Sequence, residues 1–369
     1  MKAIEDKVRA GERLSYEEGL SLFQCEPKAV AELADWVRKE RVGDTVTFAS
    51  TLYLHPTNLC ELSCPMCSFY AKPGWKTAWF LSPEECERRI RKAYPLGLTE
   101  VHVVGGLWRD CDLSYYEDLF ARIKRIDPQL HIKALTPVEY DFLAKLHGIS
   151  IEQVFERMIG FGLDSVPGGG AEILVEEVRK KIAGQKITTE EYLTITETAH
   201  RMGLRSNITM LYGHIEGEGD IITHLIRVRE LQDRTGGFRA FVPLKWHSEN
   251  NALGKRKNRL LPPKDNTLVY GISRLMLDNI PSLKLLWKYL GVEEAQRLLG
   301  CGGNDLSSTY VDEQIIEMAG SIRMEMTRER MCQLIEAVGR VPKEVHSGYE
   351  YLVYNFLAGD AVGEGGKIA

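Results

Sequence analysis

The sequence predicts an α/β chain whose successive βα units surround one parallel sheet, curled into a full or partial (β/α) barrel. Two observations carry this. From Thr51 onward, short β-branched or apolar runs alternate with stretches of helical period, as expected of βα repetition. Polar or glycine-rich segments then follow nearly every run: HPTNLC, GGLWRD, TPVE, PGGGAE, YGHIEG and KWHSEN. A doubly wound sheet would also satisfy the alternation, but a barrel rim gathers all six segments around one mouth.

The elements follow in order. Residues 1–45 read as a helical lead-in, with acidic and basic residues interleaved and apolar positions at Val30, Leu33, Trp36 and Val37. Strands are expected at 51–54 (TLYL), 101–104 (VHVV), 131–135 (HIKAL), 163–166 (LDSV), 206–211 (SNITML) and 239–244 (RAFVPL). A seventh run, SLKLLW at 282–287, fits strand or helix equally. The stretches between them are helical in period, several opened by Ser or Thr shortly before Glu, which is the signature of an N-cap or capping box. A barrel core over 46–325 is therefore expected, followed by a helical and irregular extension over 326–369 that docks on it and frays at its Gly-rich end.

Composition narrows the function. Of 369 residues, 44% are hydrophobic and 27% charged, with 33 Gly and 14 Pro, so the chain is neither fibrous nor disordered. With 47 basic against 52 acidic residues, the net charge of −5 offers no excess for a nucleic-acid backbone. The N-terminus is charged, and no apolar run approaches the roughly 18 residues that span a bilayer, so a soluble cytoplasmic protein is expected. Eight cysteines are too few for a disulfide scaffold, yet three crowd into eight positions.

Those three, Cys60, Cys64 and Cys67, form C-x3-C-x2-C directly after the first expected barrel strand. Soft thiolates suit zinc or an iron-sulfur cluster. A structural zinc site usually closes with four ligands, whereas Cys25, Cys86, Cys111, Cys301 and Cys332 stand alone; a zinc knot would need His55 or Cys86 to complete it. Three ligands instead suggest a cluster with one open metal position. The spacing, the place after the first strand, and the preceding Thr57 and Asn58 resemble the radical SAM superfamily. That resemblance implies a 4Fe-4S cluster, S-adenosyl-L-methionine chelated at the open iron, and an external one-electron donor. Met66 stands where the superfamily often carries an aromatic residue near the adenine, and Gly105 and Gly106 in VVGG match its methionine-binding segment.

Further stretches, HIKALTPVEYDFLAK, LDSVPGGGAEIL, RSNITMLYGHIE and GGFRAFVPLKWHSENNALG, resemble one branch of the superfamily. It contains aminofutalosine synthases, dehypoxanthine futalosine cyclases and deazaflavin-cofactor synthases, and the first of these fits best. The resemblance implies cofactor contacts from Glu139, Gly169, Glu172 and Asn207. It also implies rim contacts from Tyr212, His214, Trp246 and His247, with His214 and His247 as the candidates for catalysis. It further implies that S-adenosylmethionine is consumed as a co-substrate, its adenosyl group adding to the enolpyruvyl ether 3-[(1-carboxyvinyl)oxy]benzoate on the way to menaquinone. The two carboxylates of that substrate call for cations. Lys133, Arg205, Arg239 and Lys245 stand in or beside expected strands, and the N-terminal helices or the C-terminal segment could cover the rim. No oligomeric state follows from the sequence.

Overall fold

A computed structural model of the protein describes residues 1–256, 265–309, 312–321, 324 and 326–349. Ten strands are found there. They are β1 (Thr45–Ala49), β2 (Thr51–Leu54), β3 (Glu100–Val103), β4 (His131–Ala134), β5 (Ser165–Val166), β6 (Arg205–Tyr212), β7 (Phe238–Lys245), β8 (Ser282–Leu283), β9 (Asp305–Ser308) and β10 (Val341–Glu344).

Strands β2 to β8 form one parallel sheet whose spatial order is their chain order. A doubly wound sheet reverses order at a switch point; this one never does, so each crossover steps in the same direction and the sheet curls. The six expected strands from TLYL to RAFVPL coincide with β2 to β7, and helices such as Pro83–Ala93, Leu113–Ile126 and Glu218–Thr235 connect them. Ser82 caps its helix through the Glu85 amide, and Thr136, Ser150 and Thr188 close capping boxes with Glu139, Gln153 and Glu191. Each cap contributes about 1 kcal/mol and fixes where a rim loop ends.

The ambiguous run SLKLLW divides: Ser282–Leu283 is strand, and Trp287 opens a short helix. A second parallel sheet, in the order β10-β1-β9, was not expected. It matters for closure. The backbone of β8 reaches β9 through the Lys284–Asp305 bridge, β9 pairs with β1, and β1 runs through Ser50 into β2. Backbone pairing through β9 and β1, and then the chain itself at Ser50, thus lead from the last barrel strand back to the first. Val341–Glu344, read as irregular from sequence, is a strand because it completes the other edge of β1. The Gly-rich end of the extension lies outside the described residues.

The N-terminal helices sit on the outside. Helix Pro27–Val42 packs on Asn266–Met276, and Tyr16–Ser21 packs on Glu218–Thr235. No residue of 1–45 lines the main cavity; Glu313, Ile315, Ile316 and Ala319 cover that part of the rim instead. Among the described residues, no helix is long and apolar enough to cross a membrane.

Candidate active site

The loop after β2 carries the three cysteines and is tied down at many points. Thr57 Oγ1 donates to Trp79 O at 2.6 Å, Asn58 bonds Thr77 O and the Trp79 amide, and Lys72 Nζ bonds the carbonyls of Cys60, Glu61 and Leu62. Cys60 Sγ accepts from the Leu107 amide at 3.4 Å. All three thiols line a pocket of about 90 Å³ together with Gly105, Gly106 and Lys186. Burial pushes the Cys64 thiol up to about 11 and raises Cys67 as well, so ligation would drive off protons.

The donor set fits this pocket to a cluster, since the thiolates of a cubane each take a different iron. The residues needed for a zinc knot are engaged elsewhere. His55 Nδ1 bonds Val104 O at 3.0 Å and its Nε2 faces Glu313 at 3.6 Å, while Cys86 is buried against the Tyr115 hydroxyl. Glycine is required at 106: a Cβ there would stand 2.1 Å from Leu59 O and 3.1 Å from Cys60 Cβ.

A larger cavity, about 310 Å³, opens beside the thiol pocket and shares Cys67, Gly105, Thr136, Glu139 and Lys186 with it. Its wall brings together Met66, Gly105, Glu139, Gly169, Glu172 and Asn207; Gly106 lines the thiol pocket. Glu139 is a structural clamp as well as a wall. Its carboxylate accepts from Gly105 N at 3.0 Å and Thr136 N at 2.7 Å, joining the exit of β3 to the next helix. Burial raises its pKa.

The PGGG loop is held onto β6. A Cβ at Gly168 would fall 2.5 Å from Ile208 Cα, and Thr209 Oγ1 and the Tyr192 hydroxyl both donate to Gly168 O. The buried Arg179 binds the carbonyls of Gly170, Ala171 and Ile187. Beyond the glycines, Glu172 takes a left-handed φ of 49°, a conformation a non-glycine residue rarely adopts. Its carboxylate ends 2.5 Å from Lys186 Nζ. Although burial favours the neutral acid, Lys186 holds Glu172 below its usual range.

The remaining expected residues divide. His247 and Lys245 line the cavity rim, the former with Nε2 3.0 Å from Tyr289 O, and Lys133 lines the floor. Asn207, Thr209 and Leu211 line the cavity from β6, so alternation turns Tyr212 outward, where its hydroxyl donates to Asn266 Oδ1 and its ring meets Tyr270. His214 is also outside the lining: it is buried in the turn, with Nε2 on Leu211 O and Nδ1 2.9 Å from Glu216, so it builds the rim. Arg205 and Arg239 lie at the starts of β6 and β7, the end opposite the cysteines, with Arg239 in the bulge facing Asn207.

Sequence reasoning singled out none of Lys186, Lys284, Glu313 and His102, though all four line the cavity. Lys284 and His102 had a signal in strand alternation. Lys186 and Glu313 sit in loops, where no periodicity assigns a direction.

Comparison with known proteins agrees with this geometry. Residues 54–226 match the family model for the radical SAM superfamily, and 235–355 that for the CofH/MqnC C-terminal region. The chain is 36% identical over 345 residues to an aminodeoxyfutalosine synthase of Thermus thermophilus, covering 92% of this chain and 93% of the relative. It is 36% identical to a cyclic dehypoxanthine futalosine synthase of Streptomyces coelicolor, covering 99% and 92%. It is also 36% identical to a 5-amino-6-(D-ribitylamino)uracil–L-tyrosine 4-hydroxyphenyl transferase of Methanococcus maripaludis, covering 88% and 92%. Among solved structures, methylornithine synthase superposes with a TM-score of 0.70 at 15% identity over 94% of this chain and 98% of its own, which shows a shared fold. A three-thiol pocket on the first loop of a curled parallel sheet, with relatives matching almost end to end, makes this chain a radical SAM enzyme, a member of the superfamily that uses a 4Fe-4S cluster and S-adenosylmethionine.

Proposed function

We propose that this enzyme is an aminofutalosine synthase, joining the adenosyl group of S-adenosylmethionine to 3-[(1-carboxyvinyl)oxy]benzoate, with aryl migration and loss of carbon dioxide, to give 6-amino-6-deoxyfutalosine for menaquinone. The observation that carries this reading is the cavity beside the thiol pocket. Its surface is mostly apolar, as an aromatic ring requires, and ammonium groups at the rim (Lys245) and floor (Lys284) suit an acid with two carboxylates, whereas Lys133 is already paired with Glu100. The near end-to-end likeness to an aminodeoxyfutalosine synthase supports it.

When bound, the cluster and S-adenosylmethionine supply a 5′-deoxyadenosyl radical by one-electron cleavage of the sulfonium, the electron coming from an external donor. The protein's part is placement. Cys60, Cys64 and Cys67 would hold the cluster, and Gly105 and Gly106 leave backbone open beside it. Glu172 and Asn207 would hydrogen-bond the polar groups of the nucleoside, with Met66 against its base. Reacting atoms have to be held within about 3.5 Å of each other, and wall residues such as Ile316, Leu244 and Val242 keep water from a reactive intermediate.

The cyclase relative is equally identical, so the test has to separate the two. The enzyme is reconstituted anaerobically with iron and sulfide, reduced with dithionite, and given S-adenosylmethionine and the enolpyruvyl benzoate. An adenosyl adduct lacking one carbon dioxide is expected by mass spectrometry. Free 5′-deoxyadenosine without an adduct would move the substrate to a sibling, and neither species from cluster-loaded protein would overturn the reading.

A further inference from the structure

At the floor of the cavity stands an ammonium with too few acceptors. Lys284, one residue beyond β8, lines the cavity and is only 8% exposed. Its Nζ makes no hydrogen bond among the described residues; it has a loose ion pair with Asp305 at 3.4 Å and lies 5.5 Å from the centre of the Tyr349 ring. That carboxylate is already committed: Oδ1 accepts from the Ser307 amide and Oδ2 from the Tyr349 hydroxyl, each at 2.7 Å. The neighbouring Lys133 is different, donating to Glu100 at 2.6 Å and to Ser347 Oγ at 2.7 Å. An ammonium carries three donors, and leaving them unmade in a buried place costs more than one ordinary hydrogen bond gains.

A further feature favours an anion here. Below the floor, Arg205 and Arg239 stand near each other with no ion-pair partner among the described residues, so with Lys133 and Lys284 they outnumber Glu100 and Asp305.

We infer that Lys284 receives the ring carboxylate of an aromatic acid at the closed end of the cavity, and so determines which aromatic acids the enzyme accepts. Orientation selects the ring carboxylate. Thr136, on the wall shared with the thiol pocket, lies past the end of β4, whereas Lys133 stands within that strand, so the floor and the thiol end of the cavity are set apart along it. A reacting alkene has to sit at the thiol end, so a carboxylate in the meta position of the ring points toward the floor. The enolpyruvyl carboxylate stays near the rim, at Lys245. This assignment rests on the synthase reading for the identity of the acid, but not for the charge it requires.

The test is equilibrium titration of the reconstituted enzyme, with S-adenosylmethionine present and no reductant. The ligands are 3-[(1-carboxyvinyl)oxy]benzoate and its counterpart without the ring carboxylate. A charge-assisted contact predicts about 30-fold tighter binding of the full acid. Lys284→Met should abolish that ratio, weakening the full acid about 30-fold and the counterpart by less than about twofold. Lys284→Arg should keep most of the preference and so show that the floor survives substitution. Equal weakening of both ligands by Lys284→Met, or an undiminished ratio, overturns the assignment. If the wild type gives no adduct with the enolpyruvyl benzoate, the synthase reading fails on its own. Benzoate against benzamide, titrated into the same proteins, then decides Lys284: a preference for the anion that the methionine variant loses supports it, and no preference overturns it.

Discussion

Replacing Gly106 by alanine tests whether the exit of β3 supports the cysteine loop. The added Cβ would stand 2.1 Å from Leu59 O and 2.7 Å from Leu59 C, both backbone atoms that no side-chain rotation can move. Carbon atoms do not approach that closely, so the loop has to retreat by about an ångström. Three bonds anchor it at this point: Gly106 N to Thr57 O at 2.9 Å, Glu61 N to Leu107 O at 2.8 Å, and Leu107 N to Cys60 Sγ at 3.4 Å. Losing two of them at about 1 kcal/mol each, with some overpacking, gives roughly 3 kcal/mol. Cys60 would move by several times the roughly 0.2 Å that a metal-ligand bond tolerates. Iron content after reconstitution and the EPR signal of the reduced cluster should therefore collapse in Gly106→Ala, with urea unfolding showing that the chain still folds. Gly105→Ala, whose Cβ would be 3.0 Å from Thr57 O, should be milder. Full iron loading and an unchanged EPR signal in Gly106→Ala would refute the reasoning.

Two further expectations follow from buried charge. Burial lowers His200 to about 4 and His224 to about 3, so between pH 6.5 and 4 the unfolded chain takes up protons that the folded chain refuses. Stability is complete above pH 6.5 and should fall by roughly 1.4 kcal/mol per pH unit for each ring as the solution is acidified, a slope that His224→Gln should flatten in thermal melts. Removing Lys186 leaves the Glu172 carboxylate, 7% exposed, without its cation, so Lys186→Met should cost about 3 kcal/mol in urea unfolding, and adding Glu172→Gln should recover most of it. A single-variant loss below about 1 kcal/mol would show that Lys186 does not hold Glu172 in place.

The sequence exposed features with a local cause and hid those made by distant chain. Strands β2 to β7 were legible because each is a short apolar or β-branched run between turn signals, and the rim helices because Ser82, Thr136 and Ser150 announce their starts. The cysteine loop was legible because three ligands lie within eight residues. By contrast, Asp305–Ser308 and Val341–Glu344 carry weak strand composition and exist as strands only because β1 offers them an edge. Direction was the harder question. Tyr212 and His214 share a segment with Asn207, yet pleat and turn geometry place only Asn207 on the cavity wall. Arg205 has the inward parity of Asn207 but lies one step too low.

On the proposed reading, the two matched regions divide the chemistry between them. Residues 54–226 carry the three thiols, both glycine segments, Glu172 and Asn207, the groups proposed for the cofactor. Residues 235–355 carry Lys245, His247, Lys284 and Glu313, which line the cavity proposed for the substrate. The same C-terminal region also braces the floor from below: the Ser347 amide donates to Glu100, which holds Lys133, and the Tyr349 hydroxyl to Asp305, the carboxylate nearest Lys284. If the first half fixes where the adenosyl carbon is delivered, exchanging the second half for that of a relative should change the substrate accepted and leave the iron content of the cluster unchanged. Relatives with differently named activities at 36% identity are what such a division allows, and the cations of the C-terminal half are therefore where members of this branch should be told apart.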